Sequence, residues 1–85
     1  MSYADDLAMT EAGARDIAFR AQHKFGDFAS MHEAYGVLAE EVAELFDAVR
    51  LKQTDRARST KIRHEALDIA AVALRIAEQA GRVTR

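Results

Sequence analysis

The sequence contains no cysteine, no proline and no tryptophan. Without cysteine there is no disulfide framework, no thiolate nucleophile and no zinc–thiolate centre, a usage compatible with a reducing compartment. Without proline nothing forces a helix to break, and Gly13, Gly26, Gly36 and Gly81 are the only glycines available as punctuation. Aromatic residues are few, four Phe and two Tyr, so the 49% hydrophobic content comes mainly from Ala, Leu, Val and Ile, which suits packed helices better than a sheet. Charge of one sign is also lacking. Twelve Lys and Arg against fourteen Asp and Glu give −2, too balanced for the basic footprint of a nucleic-acid binder. The first twenty residues carry Asp5, Asp6, Glu11, Arg15 and Asp16, which excludes the apolar stretch of a signal peptide, and no later run is long and apolar enough to span a bilayer. The expectation is a soluble, cytoplasmic protein with neither nucleic acid nor membrane as partner.

With 85 residues the chain is expected to form a single domain spanning 1–85, near the lower limit of what one hydrophobic core stabilises. Apolar spacing predicts three helices. The first covers roughly 4–23, with Leu7, Ala14, Ile17, Ala21 and Phe25 along one side. Ser30 and Glu33 stand at capping-box spacing and predict a second helix from there to about Lys52. In it Met31, Tyr35, Leu38, Val42, Leu45 and Val49 recur at steps of four and three. A polar connection over 53–59 offers Asp55, Ser59 or Thr60 as the next cap. The third helix repeats the rhythm with Ile62, Ala66, Ile69, Ala73, Ile76 and Ala80, and Gly81 is placed to end it. Matching seams predict antiparallel packing of the second and third helices. Three helices leave one side of a bundle open, so the expected fold is an all-α, three-helix chain that completes a helical bundle by oligomerisation, at least as a homodimer. Leu74, Leu67, Phe46 or the first helix would supply its second seam.

Two carboxylate pairs carry the chemical expectation. Glu41 and Glu44 are one turn apart on one helix face, and so are Glu65 and Asp68. Both pairs flank apolar surface, the first beside Ala34, Val37 and Ala48, the second beside Val72. Antiparallel packing can bring the four together with Glu40 close by. Such a cluster, partly buried, must take up protons or bind cations. All-oxygen ligands select hard cations such as Mg²⁺ or Mn²⁺, and the absence of a Glu-x-x-His motif argues against a di-iron centre. Either pair alone is also ordinary on a solvated helix; two matched pairs are much less so.

The stretch His32-Glu33-Ala34-Tyr35-Gly36-Val37-Leu38-Ala39-Glu40-Glu41-Val42-Ala43-Glu44-Leu45, followed by Glu65-Ala66-Leu67-Asp68-Ile69-Ala70-Ala71, resembles the MazG-like nucleotide pyrophosphohydrolases, whose pattern is a Glu-Glu-x-x-Glu helix and, after a loop, a Glu-x-x-Asp helix. The resemblance covers about residues 25–80. It implies an all-α bundle assembled as a dimer or tetramer, binding Mg²⁺ and splitting a nucleoside triphosphate into monophosphate and pyrophosphate. By position Glu41, Glu44, Glu65 and Asp68 would be metal ligands. Glu40 would position water or lie in the outer shell, and either Glu40 or Glu44 would be the base. Many relatives carry a further helical segment after the third helix, a part that a second subunit could supply.

Lys52, Lys61 and Arg75 are the candidate phosphate-binding cations, Lys61 and Arg75 lying on the stripe of Glu65 and Asp68; simple surface ion pairing is the alternative for each. His32, at the start of the second helix, is a candidate substrate contact, and Phe25, Phe28, Tyr35 or Phe46 would have to stack on a base. Two other readings stand beside this one. The first is a phosphoribosyl-ATP pyrophosphohydrolase, from the same superfamily. The second is a non-catalytic helical interaction module, in which the acids are plain surface.

Overall fold

Ser2 opens the first helix. Its Oγ accepts a hydrogen bond from the Asp5 amide at 3.2 Å, and the Asp5 carboxylate accepts from the Ser2 amide at 3.3 Å, closing a capping box. The computed structural model describes residues 2–83, with helices α1 (Tyr3–Phe25), α2 (Met31–Val49) and α3 (Arg58–Val83) and no strand among the described residues. Helix α1 ends at Gly26, whose φ of 72° lies in the left-handed region and whose amide donates to Gln22 O at 2.8 Å; a side chain there would be strained. Ser30 caps α2 by accepting from the Glu33 amide at 3.0 Å, but the Glu33 carboxylate takes no part, so only half of the expected box forms. Helix α2 stops three residues before Lys52, its last turn closed by Arg58, which donates to Val49 O. Asp55, one of three expected caps, accepts from the Ala57 amide just ahead of α3.

Gly81 does not end α3. The helix continues to Val83, and Gly26 is the only described glycine with positive φ. Arg82 explains the extra turn: it pairs with Glu78 one turn back and forks onto Asp27 at 2.6 and 3.1 Å, tying the end of α3 to the α1–α2 connection.

Helix α3 is the central element: α1 and α2 each pack against it and not against each other. Phe28 meets Gln79, Glu41 meets Asp68, and Val49 meets Arg58, so α2 and α3 are antiparallel as expected. Gly13 lies beside Leu67 and Gln22 beside Arg75, so α1 runs parallel to α3. Gln79 fixes the α1–α2 connection by exchanging two hydrogen bonds with the Phe28 backbone, at 2.9 and 3.0 Å.

The seams do not pack against each other. The contact between α2 and α3 is built on Ala34, Val37, Leu38, Phe28, Val72 and Ile76, with Ala34 wholly buried and Ala48 nearly so. Met31, Tyr35, Val42 and Val49 of the α2 seam are exposed, as are Ala66, Ala73 and Ala80 of α3. Small alanines let the two backbones approach closely, so the carboxylate flank, and not the bulky seam, faces α3. At about 100° per residue the α2 and α3 stripes lie about a quarter turn from that contact, and in an antiparallel pair both turn to the same side, away from α1.

Candidate metal centre

The packing that hides Ala34 and Ala48 also carries the acids inward. Glu41, Glu44 and Glu65 converge, each offering an oxygen within 4.8 Å of the others. Asp68 adjoins them one turn along α3: it groups with Glu65 and His64, whose Nε2 is 3.4 Å from Asp68 Oδ2, and its charge is felt at Glu41. The four expected ligands are thus neighbours across one helix pair. Glu41, Glu65 and Asp68 are half-buried and Glu44 lies at the exposed edge. Oε2 of Glu41 and Oε2 of Glu65 are buried with no hydrogen-bond partner. A buried carboxylate oxygen without a donor is costly, and no lysine or arginine forms an ion pair with this cluster among the described residues.

The electrostatics record the same conflict. Burial, then the charges of Glu44, Asp68 and Glu65, push the Glu41 carboxyl up to about 7. Burial and the Glu44 carboxylate, within hydrogen-bonding reach, raise Glu65 as well, against a small opposing effect of His64. A group whose folded pKa is raised above its unfolded value of 4.5 holds its proton longer in the folded state. Through Glu41 the metal-free protein is therefore expected to lose stability as pH rises from about 4.5 through about 7, with Glu65 acting in the same direction. Allowing for solvent screening, Glu41 contributes about 1–2 kcal/mol to that loss. Urea unfolding at pH 5 and pH 8 in chelator reads it as a lower midpoint at pH 8, with the slope reduced in Glu41→Gln. Asp27, held low by Arg82 and Gln22, acts in the opposite sense below its ordinary 3.8, outside this window.

The remaining candidates are placed differently. Glu40 is exposed beside the cluster and outside the converging set, and Lys52, Lys61 and His32 are exposed with no ion pair among the described residues. Arg75 lines the cleft that contains Glu41 and Asp68, but its guanidinium is engaged: it donates to Gly26 O at 3.1 Å and Gln22 Oε1 at 3.3 Å and stacks 4.4 Å from the Phe28 ring centre. It straps the end of α1 and the following connection onto α3. Arg75→Ala is expected to destabilise the fold by about 2 kcal/mol, and Arg75→Lys to recover less than half because an ammonium lacks the planar fork; denaturant midpoints check both.

Two features were missed by the sequence reading. The Ser2-x-x-Asp5 box has the same spacing logic as Ser30 and Glu33 and was legible. The cleft was not, because it depends on α1 and α2 standing apart over α3.

No family model, curated protein or solved structure matches this chain.

Proposed function

We propose that this chain is a divalent-cation-dependent nucleoside triphosphate pyrophosphohydrolase of the MazG-like kind, with Glu41, Glu44, Glu65 and Asp68 holding Mg²⁺ or Mn²⁺. The observation that carries the reading is the pair of buried, partnerless oxygens, Glu41 Oε2 and Glu65 Oε2, within one carboxylate cluster. The donor set fits such an ion, being all oxygen, anionic and drawn from two rigid helices. When bound, the ion supplies positive charge opposite phosphate oxygens and makes water more acidic.

The chain's own residues then divide the work. Glu41 and Glu65, anchored on facing helices, fix the ion's position. Glu44, at the exposed edge, can accept a proton from an attacking water while it remains in the cluster. Glu40, exposed next to it, orients that water or replaces it as base. Lys52 and Lys61 are free to swing toward a polyphosphate, whereas Arg75 acts through the strap it makes with Gly26 and Gln22. The homodimer is part of this proposal, with the exposed α2 and α3 stripes as its interface.

The test is pyrophosphate release from a panel of nucleoside triphosphates and phosphoribosyl-ATP with Mg²⁺, with and without chelator. Release that requires the ion is the expected result. A folded protein without turnover, whose thermal midpoint Mg²⁺ and Mn²⁺ leave unchanged, would return the acids to plain surface and favour the interaction module.

A further inference from the structure

The carboxylate cluster opens onto a cleft of about 450 Å³ between α1 and α2, to which Glu41 and Asp68 both contribute. That is the size of a small-molecule site. Its lining is apolar at Ile17 and Ala21 of α1, Val37 of α2 and Ala71 and Val72 of α3. At its side stands Phe25, 68% exposed although it closes a helix. An apolar slot beside an exposed ring and next to a cation site is suited to a flat heterocycle joined to an anion.

The polar groups of the cleft decide which heterocycle. Asp27 is occupied by Arg82 and Gln22, and Arg75 by Gly26 and Gln22. Outside the carboxylate cluster this leaves Glu33. Its amide serves the Ser30 cap, but among the described residues its carboxylate has no hydrogen bond or ion pair, and it borders the cleft. Glu33 precedes Glu41 by eight residues, a rise of about 12 Å along α2, so base and phosphate ends of one extended nucleotide can be served by one helix.

We propose that Phe25 and Glu33 form a base subsite that selects guanine-type bases. An ionised carboxylate offers two parallel acceptors and no donor. Guanine presents two adjacent donors, N1–H and the 2-amino group, and pairs with both oxygens at once. Uracil presents a single N–H between two carbonyl oxygens that the carboxylate repels. Phe25 holds the base by stacking and is indifferent to its identity. This inference rests on the nucleotide reading of the carboxylate cluster and names its substrate.

The experiment is equilibrium binding of GMP and UMP to the full chain in Mg²⁺, for the wild type, Glu33→Gln and Phe25→Ala, beside the wild type's pyrophosphate release from GTP and UTP. The wild type is expected to bind GMP at least about tenfold more tightly than UMP. Glu33→Gln, an exposed change that keeps the Ser30 cap, removes that ratio by weakening GMP alone, whereas Phe25→Ala weakens both. Equal binding of GMP and UMP by the wild type, or a ratio that survives Glu33→Gln, overturns the base subsite. If triphosphates are still hydrolysed in that case, the pyrophosphohydrolase reading stands without it; absence of both turnover and nucleotide binding removes the two together.

Discussion

Glu41→Gln and Asp68→Asn are each expected to lower the Mg²⁺-dependent release of pyrophosphate by at least about a hundredfold in kcat/KM. Each change keeps the shape of the side chain and removes its charge. In the metal-free protein that charge is a burden: Glu41 lies among Glu44, Glu65 and Asp68, and one of its oxygens has no partner. Glu41→Gln, expected to remove the proposed activity, should therefore leave metal-free stability unchanged or raised, whereas Asp68→Asn also weakens the contact of Asp68 with His64 and should raise it less. A residue that merely supports the fold would behave in the opposite way, losing activity because stability is lost. Cation binding gives the third readout. At a hundred times its dissociation constant, Mg²⁺ should add about 2.7 kcal/mol to the stability of the wild type and much less to either variant. The three signs are measurable by turnover, by urea unfolding in chelator and by thermal midpoint against Mg²⁺ concentration. Retained activity in both variants would remove the cluster from the chemistry.

How much of this was legible in the sequence depends on what kind of signal each feature uses. The helices were, because four-three spacing and the Ser30 cap are local, and α2 and α3 begin and end within a few residues of the expected bounds. The pairing of the acids on each helix was legible too, since helical spacing alone sets Glu41 with Glu44 and Glu65 with Asp68 on common faces. The direction of the seams was not. Apolar rhythm tells which face avoids water and says nothing about which partner covers it. Ala34 and Ala48 carry little hydrophobic weight, yet they are the buried residues of α2 on the flank that carries the carboxylates inward. Non-local side-chain pairing escaped for the same reason: the Arg82 to Asp27 fork that prolongs α3 past Gly81 joins residues 55 positions apart, and Arg75 read as a phosphate ligand because its connection to Gly26 is a product of the fold.

The misplaced seams carry the second large expected effect, dissociation of the proposed dimer by a single charge. The accessible surface of the chain is 6545 Å², about 1500 Å² more than a compact monomer of this mass exposes. Its radius of gyration is 14.5 Å against about 12 Å for a compact domain of this length. A standard interface needs about 800 Å² from each partner, so the excess suffices. The exposed α2 stripe, with Tyr35 71% and Phe46 60% exposed alongside Val42 and Val49, faces the same way as the alanine stripe of α3, and a two-fold axis there would complete a four-helix bundle from two α2–α3 pairs. Phe46→Glu places a carboxylate in that interface twice per dimer, costing about 3 kcal/mol or more, which is at least about a hundredfold in the dissociation constant. Sedimentation equilibrium should give twice the 9.4 kDa chain mass for the wild type and the chain mass for Phe46→Glu at the same concentration. A monomeric wild type would sink the interface. Because Glu41, Glu44, Glu65 and Asp68 all belong to one chain and lie on the other flank of α2, the Phe46→Glu monomer should keep its Mg²⁺-dependent thermal shift. That separates assembly from ion binding, and activity lost with the dimer alone would mean that the second subunit completes the substrate site and not the metal centre.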